Sequence, residues 1–120
     1  MPTILIIEDD AVTRLVLTGV FRQQGLEVLQ AANGEEGILV ARNGRPDVIV
    51  SDVNLPAMDG FAVLNCLRKD PITATIPFIL VTANSNEADQ RRARQSGANG
   101  YLSKRIQPSE LQALVSKHIQ

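Results

Sequence analysis

The residues of this sequence that could carry out chemistry are acids, a hydroxyl and a lysine, each placed just after a short apolar run. They are Glu8 and Asp9 after the first run, Asp52 after the third, Thr82 after the fourth and Lys104 after the fifth. Two carboxylates about 4 Å apart repel each other by roughly 4 kcal/mol at the dielectric near a protein surface. Carboxylate, carbonyl and water oxygens are ligands that suit Mg²⁺. If these acids converge, the sequence therefore predicts a Mg²⁺ site.

Asp52 is the residue that this chemistry indicates as a nucleophile. A carboxylate can attack phosphorus to form an acyl phosphate. Lys104 and Thr82 would then supply a cation and a hydroxyl to the phosphoryl oxygens. No glycine-rich run precedes a Lys-Ser or Lys-Thr pair in the sequence, so we do not expect a bound nucleotide to be the phosphoryl donor.

Five short apolar runs alternate with five longer amphipathic segments, and these elements must position the reactive side chains. The predicted strands are residues 3–7, 27–31, 47–51, 76–81 and 99–103, and the predicted helices are residues 11–24, 33–43, 58–69, 87–96 and a last one from residue 108 onward. This alternation favours an α/β fold, a single doubly wound five-stranded parallel sheet flanked by five helices. Ligands of such sheets lie beyond the carboxyl ends of the strands, where the strand order reverses.

Helical periodicity supports the predicted helices. In the first helix, apolar residues recur at helical spacing, namely Val12, Leu15, Val16, Val20 and Phe21. In the third helix, Cys66 lies near the apolar face, which indicates a small buried hydrophobic residue. Asp10 is expected to cap the first helix.

Composition limits the classes of function. A chain of 120 residues with 44% hydrophobic and 21% charged residues is typical of one globular domain, here residues 1–120. Twelve basic and thirteen acidic residues give a net charge of -1, which argues against direct nucleic-acid binding. The first apolar run is interrupted by Glu8, so neither a signal peptide nor a membrane span is expected. The single cysteine fits a cytoplasmic location.

Four segments, in order, resemble the signatures of receiver domains of two-component response regulators. They are residues 4–10 (ILIIEDD), 50–60 (VSDVNLPAMDG), 81–83 (VTA) and 100–104 (GYLSK). The resemblance runs nearly end to end and implies a flavodoxin-like receiver fold. It also implies that a histidine kinase or histidine phosphotransfer protein donates a phosphoryl group to Asp52 in a Mg²⁺-dependent reaction. Such a chain is a signalling phosphoacceptor with no external metabolite as substrate.

The resemblance assigns roles to individual residues of the site. Asp9 and Asp52 match direct metal ligands, Glu8 matches an outer-shell acid that acts through water, and Asn54 matches the residue whose backbone carbonyl completes the metal shell. Thr82 and Lys104 match the two phosphoryl-binding side chains.

The resemblance also implies a switch made of Thr82 and Tyr101. The Tyr101 side chain is expected to follow the state of Thr82 and to reshape the face formed by the fourth helix, the fifth strand and the fifth helix. A downstream protein or an output domain would read that face, or a second copy would bind in a phosphorylation-dependent dimer.

One position departs from the family pattern. Arg105 follows Lys104, where the family usually has a proline after a cis bond. A non-proline cis bond costs about 2.5–4 kcal/mol, so we expect a trans bond here and an altered approach of Lys104.

Two other classes of function share some of these residues. A metal-dependent phosphohydrolase with an aspartyl nucleophile usually needs a second aspartate two residues later, and this sequence has Asn54 there. A degenerate receiver that only docks partners is suggested by Arg105 alone and opposed by the complete set of acids, hydroxyl and lysine.

Overall fold

The computed structural model describes residues 1–104 and 107–119, and in these residues five strands alternate with five helices. The strands are β1 (Thr3–Ile7), β2 (Glu27–Ala31), β3 (Val48–Asp52), β4 (Phe78–Thr82) and β5 (Gly100–Ser103). The helices are α1 (Ala11–Gln23), α2 (Gly34–Gly44), α3 (Gly60–Lys69), α4 (Glu87–Gln95) and α5 (Pro108–Lys117). The predicted α/β fold is confirmed, and the strand and helix ends differ from the predicted ones by at most two residues.

The five strands form one parallel sheet in the order β2-β1-β3-β4-β5. The chain moves outward from β1 to β2, and then returns to place β3 on the other side of β1. The strand order therefore reverses between β1 and β3, and this opens a crevice at their carboxyl ends. Glu8 follows β1 and Asp52 is the last residue of β3, so both lie at that crevice.

The core consists of one hydrophobic layer on each face of the sheet. Alternate strand residues point to opposite faces, so Leu5 and Ile7 belong to one layer, and Ile4 and Ile6 belong to the other. The first layer is completed by buried residues of α2, α3 and α4, which are Ala41, Phe61, Val63, Leu64, Leu67 and Ala93. The second is completed by residues of α1 and α5, which are Phe21, Leu111 and Val115. Both hydrophobic layers therefore lie on the faces of the sheet, and the acids at its carboxyl edge belong to neither layer.

The apolar residues that recur at helical spacing in α1 lie mostly at the surface. Val12, Leu15 and Val16 are 70%, 70% and 58% exposed, whereas Phe21 is fully buried. The inward face of α1 also holds the buried Thr18, whose hydroxyl donates to the carbonyl of Arg14 at 2.7 Å. Periodicity alone cannot tell an apolar face that meets the core from one that meets solvent.

Cys66 is exposed on α3, so its predicted burial was wrong. The inward stripe of α3 is already filled by Val63, Leu64 and Leu67. The peptide bond before Arg105, for which a trans geometry is expected, lies outside the described residues. In the part of the chain that the structure describes, no helix has the length and apolar character needed to cross a membrane.

Candidate metal centre at the carboxyl edge of the sheet

Three carboxylates meet at the crevice between β1 and β3. Glu8, Asp9 and Asp52 each place an oxygen atom within 4.8 Å of the other two. Glu8 and Asp52 are only 2% and 6% exposed, while Asp9 lies at the surface. This donor set consists of carboxylate oxygens from three residues, which is the chemistry that Mg²⁺ prefers. The residues therefore fit a hard divalent cation.

Lys104 directly follows the edge strand β5, and its side chain reaches this cluster. Its Nζ donates to Glu8 Oε1 and to Asp52 Oδ2, both at 2.8 Å. Its backbone amide donates to the carbonyl of Thr82 at 2.8 Å, which fixes the chain directly after β5 against the end of β4. One ammonium thus faces three carboxylates, so the cluster still attracts positive charge.

The protonation states of Glu8 and Lys104 follow from their surroundings. Burial raises the pKa of the Glu8 carboxyl, and the charge of Asp52 adds to the rise, while hydrogen bonds from Lys104 and the Asp10 amide oppose it. Burial by itself would lower the pKa of the Lys104 ammonium. Its hydrogen bonds to Asp52 and Glu8, with their charges, outweigh that effect and raise the pKa of Lys104. Lys104 is therefore a permanent cation at neutral pH.

Asp52 is held by its strand and by the start of α3. Its Oδ1 accepts a hydrogen bond from the Asn54 amide at 3.1 Å, and the Gly60 amide donates to the carbonyl of Val53 at 2.8 Å. A Cβ atom on Gly60 would lie 2.4 Å from the carbonyl oxygen of Asp52, so only glycine allows α3 to begin this close to β3. The sequence motif contains Gly60, but its role as a packing residue was missed.

The turn from β1 to α1 is fastened by its own side chains. The Asp10 amide donates to Glu8 Oε2 at 3.1 Å, and the Asp10 carboxylate accepts from the Thr13 amide at 2.9 Å. The capping role predicted for Asp10 is confirmed, and the hydrogen bonds from Thr13 lower the pKa of Asp10. Arg14 Nη1 also donates to the carbonyl of Glu8 at 2.8 Å, a contact that sequence reasoning missed.

Thr82 and Tyr101 lie on the two strands beyond β3. Thr82 is 3% exposed, and its hydroxyl oxygen accepts from the Asn84 amide at 3.2 Å. The Tyr101 hydroxyl is buried and forms no hydrogen bond of normal geometry. Burial and the charge of Asp89 raise the pKa of the Tyr101 phenol, while its polar neighbours, the Asn86 backbone and the Thr82 side chain, lower it. The two residues therefore share one environment.

Four of the predicted site residues form one cluster, and the other three, Asn54, Thr82 and Tyr101, lie outside it. Glu8, Asp9, Asp52 and Lys104 are brought together in one cluster. Asn54 contacts this cluster through its amide, and the metal-binding role of its carbonyl stays a prediction. Thr82 ends the strand next to β3, and its hydroxyl oxygen accepts a hydrogen bond from the Asn84 amide, so its contact with a phosphoryl group stays a prediction.

Comparisons with known proteins agree on one family. A family model described as the response regulator receiver domain matches residues 4–116. The protein PilH of Pseudomonas aeruginosa is 36% identical over 111 residues, which cover 92% of this chain and 92% of PilH. The chemotaxis protein CheY4 of Vibrio cholerae has a TM-score of 0.93 and 28% identity, with 99% of each chain covered.

A further solved structure bears on the acid cluster. It is the receiver domain of the sensor histidine kinase PA1611 from Pseudomonas aeruginosa PAO1, described with a magnesium ion coordinated in its active site cleft. It is 31% identical to this chain, with a TM-score of 0.89 and coverage of 98% of this chain and 96% of that one.

Proposed function

Because this chain belongs to the response regulator receiver domain family, we propose that Asp52 is the residue on which it accepts a phosphoryl group from a histidine kinase or a histidine phosphotransfer protein. Receiver domains are signalling phosphoacceptors rather than metabolic enzymes. The observation that carries the assignment is the placement of Asp52, which is 6% exposed, beside two other acids and Lys104. We further propose that residues 1–120 act as one receiver domain in the cytoplasm.

The metal ligands are proposed from the same cluster. Asp9, Asp52 and the backbone carbonyl of Asn54 would hold Mg²⁺, with Glu8 acting through water. When bound, the ion offsets the negative charge of the carboxylates and of the incoming phosphoryl oxygens. The support is the mutual distance of the three acids, within 4.8 Å, and the burial of two of them.

Phosphoryl transfer needs a nucleophile and groups that bind the phosphoryl oxygens. An Asp52 carboxylate oxygen forms a bond to phosphorus, the bond from phosphorus to the imidazole nitrogen of the donor breaks, and that nitrogen keeps the electron pair. Lys104 exchanges its hydrogen bond to Asp52 for one to a phosphoryl oxygen, and the Thr82 hydroxyl binds another. The Asn54 amide cannot act as a general acid or base. Its presence therefore favours a phosphoacceptor over a phosphohydrolase that hydrolyses an external substrate.

The surface for the phosphodonor protein is proposed on α1. A cleft of about 340 Å³ runs from Val12, Val16 and Leu111 to Asp52 and Lys104. Val12 and Val16, two of the exposed apolar residues of α1, line it, and exposed apolar patches mark surfaces that bind other proteins. A donor that lies over α1 would bring its histidine to the open carboxyl edge of the sheet.

The readout is proposed at the face of α4, β5 and α5. When the Thr82 hydroxyl turns from Asn84 toward the phosphoryl group, the surroundings of the Tyr101 side chain change. A population shift between two arrangements of this face follows. A downstream protein, an output domain or a second copy of the chain would bind the favoured arrangement.

The test is acyl-phosphate formation with a small phosphodonor, with and without MgCl₂. We expect the wild-type chain to form a hydroxylamine-sensitive phosphate that depends on Mg²⁺, and Asp52→Asn to form none. Asp59→Asn is the matched control, because Asp59 caps α3 through the Ala62 amide at 2.9 Å and an asparagine can cap equally well. Undiminished labelling of the Asp52→Asn protein would sink the assignment, and steady release of phosphate would favour the phosphohydrolase.

A further inference from the structure

Arg14 makes a contact that the proposed chemistry does not use. From α1 its side chain reaches back toward β1, and Nη1 donates to the carbonyl oxygen of Glu8 at 2.8 Å. That carbonyl belongs to the peptide that joins Glu8 to Asp9, the two acids that follow β1. The half-buried Arg14 therefore contacts the backbone on which Asp9 depends.

The two acids are secured very differently. Glu8 is held by its amide, which donates to the Ala31 carbonyl at 3.0 Å, and by its two carboxylate oxygens, which accept from Asp10 and Lys104. Asp9 lies at the surface, and its direction follows from the peptide that precedes it. The hydrogen bond from Arg14 fixes the plane of that peptide.

We propose that Arg14 is a positioning residue for the metal site, holding the Glu8–Asp9 peptide so that the Asp9 carboxylate stays directed toward Glu8 and Asp52. The proposal rests on the proposed function, because the ion is the Mg²⁺ assigned there. Partners that orient metal ligands typically change metal affinity by tenfold or more when removed.

Electrostatics gives the opposite expectation, which makes the proposal testable. A guanidinium near a divalent cation repels it, so loss of the charge alone would tighten Mg²⁺ binding. Loss of the hydrogen bond would weaken binding, because the Asp9 carboxylate would sample directions away from the cluster. The sign of the change therefore separates positioning from simple repulsion.

The experiment is a titration of the folded chain with MgCl₂ alone, followed by backbone amide shifts in NMR spectra. We expect Arg14→Met to raise the Kd for Mg²⁺ about tenfold, and Arg14→Lys, which keeps a charge and a donor, to recover most of the affinity. Arg22→Met is the matched control, because it removes the same charge from the last turn of the same helix. A purely structural role would lower the thermal midpoint in EDTA and leave the Kd of the folded chain unchanged.

The outcomes are distinct. Equal or tighter Mg²⁺ binding by Arg14→Met, or the same weakening in Arg22→Met, overturns the proposal. Absence of Mg²⁺ binding in the wild-type chain instead overturns the proposed function. If Arg14→Met gives no dispersed spectrum, Arg14→Gln replaces it with the same expected weakening, because the glutamine side chain is polar but shorter than arginine and neutral.

Discussion

At the scale of single residues, two opposing effects act on the charge of the Glu8 carboxylate. It is 2% exposed and accepts a hydrogen bond from Lys104 at 2.8 Å, yet Asp52 and Asp9 lie beside it. Burial raises its pKa, so the folded chain holds the Glu8 proton more tightly than the unfolded chain does. An acid whose pKa is higher in the folded chain stabilises the fold at pH values below its unfolded pKa, which is about 4.5 for Glu8. This contribution to the free energy of unfolding is lost as pH rises through the folded pKa.

The upward direction of the Glu8 pKa change leads to a prediction for Glu8→Gln in the absence of metal. Glutamine is neutral at every pH, so the variant should be more stable than the wild type at pH 7 and should lose this advantage as pH falls below the unfolded value of 4.5. The check is the free energy of unfolding in urea and EDTA between pH 3 and pH 8. Glu27→Gln, at the exposed first residue of β2, is the control. A wild type that is more stable than Glu8→Gln at pH 7 would show that the Lys104 ion pair outweighs the burial of the acid.

The residues that sequence reasoning recovered and those that it missed differ in one physical respect. Asp52 and Lys104 carry reactive side chains in recognisable segments, so type and order were enough to predict that the two side chains meet. Arg14 acts on a backbone carbonyl six residues earlier in the chain, and Gly60 matters because of a backbone atom that only the folded chain brings near. Neither contact leaves a pattern in the sequence of side chains.

At the scale of secondary-structure elements, the inner strands β1, β3 and β4 were predictable because most of their residues are buried on both faces. All five residues of β3 and all five of β4 are buried, which produces short continuous apolar runs dense in β-branched residues. The first helix was less predictable, since its apolar residues serve two surfaces. Phe21 meets the core, and Val12, Leu15 and Val16 meet solvent.

The exposed face of α1 leads to a prediction about the protein donor. Val16→Asp should slow phosphoryl transfer from the cognate phosphotransfer protein about tenfold or more, because a carboxylate buried in the contact costs on the order of 1.4 kcal/mol or more. Transfer from a small phosphodonor should be unchanged, since the acid cluster is intact. The measurement is the rate of Asp52 phosphorylation from each donor.

A matched control is available on another helix. Leu39 on α2 is 60% exposed, close to the 58% of Val16, and it does not line the cleft that reaches Asp52. Leu39→Asp should leave both rates unchanged. Equal slowing by the two variants, or slowing with the small donor, would place the donor surface elsewhere.

At the scale of the whole molecule, the proposed switch would connect the site to the proposed readout face through the amino-terminal end of α4, which Asn86 caps. The other end of that helix is fastened, because the Arg68 guanidinium donates to the Gly97 carbonyl at 3.0 and 3.3 Å and to Asn99 Oδ1 at 3.1 Å. Arg92 adds a contact with the Phe61 ring, 4.1 Å from its centre. A rearrangement that starts at Thr82 is therefore expected to be largest at the amino-terminal end of α4.

The proposed coupling route would run through short-range contacts at the start of α4. The Thr82 hydroxyl is bonded to the Asn84 amide at 3.2 Å, and Asn86 caps α4 by accepting from the Asp89 amide at 2.8 Å. The buried Tyr101 hydroxyl lies near the Thr82 side chain and the Asn86 backbone, and both lower the pKa of its phenol. Movement of Thr82 toward a phosphoryl group would release the Asn84 amide, and the loop that leads into α4 could then take a second arrangement.

The last prediction concerns Thr82→Ala, which removes the hydroxyl and leaves the acid cluster and Lys104 in place. Asp52 should still be phosphorylated, more slowly, because one ligand of the phosphoryl oxygens is lost. Most of the phosphorylation-dependent amide shifts at Tyr101 and in the first turn of α4 should disappear, since a ligand shifts an equilibrium only through contacts that differ between the two states. Thr73→Ala is the control, because Thr73 is an equally buried threonine whose hydroxyl donates to the Leu67 carbonyl at 2.7 Å, far from the site. Amide shifts of the same size at Tyr101 in the wild type and in Thr82→Ala would show that the signal leaves the site by a route that does not include Thr82.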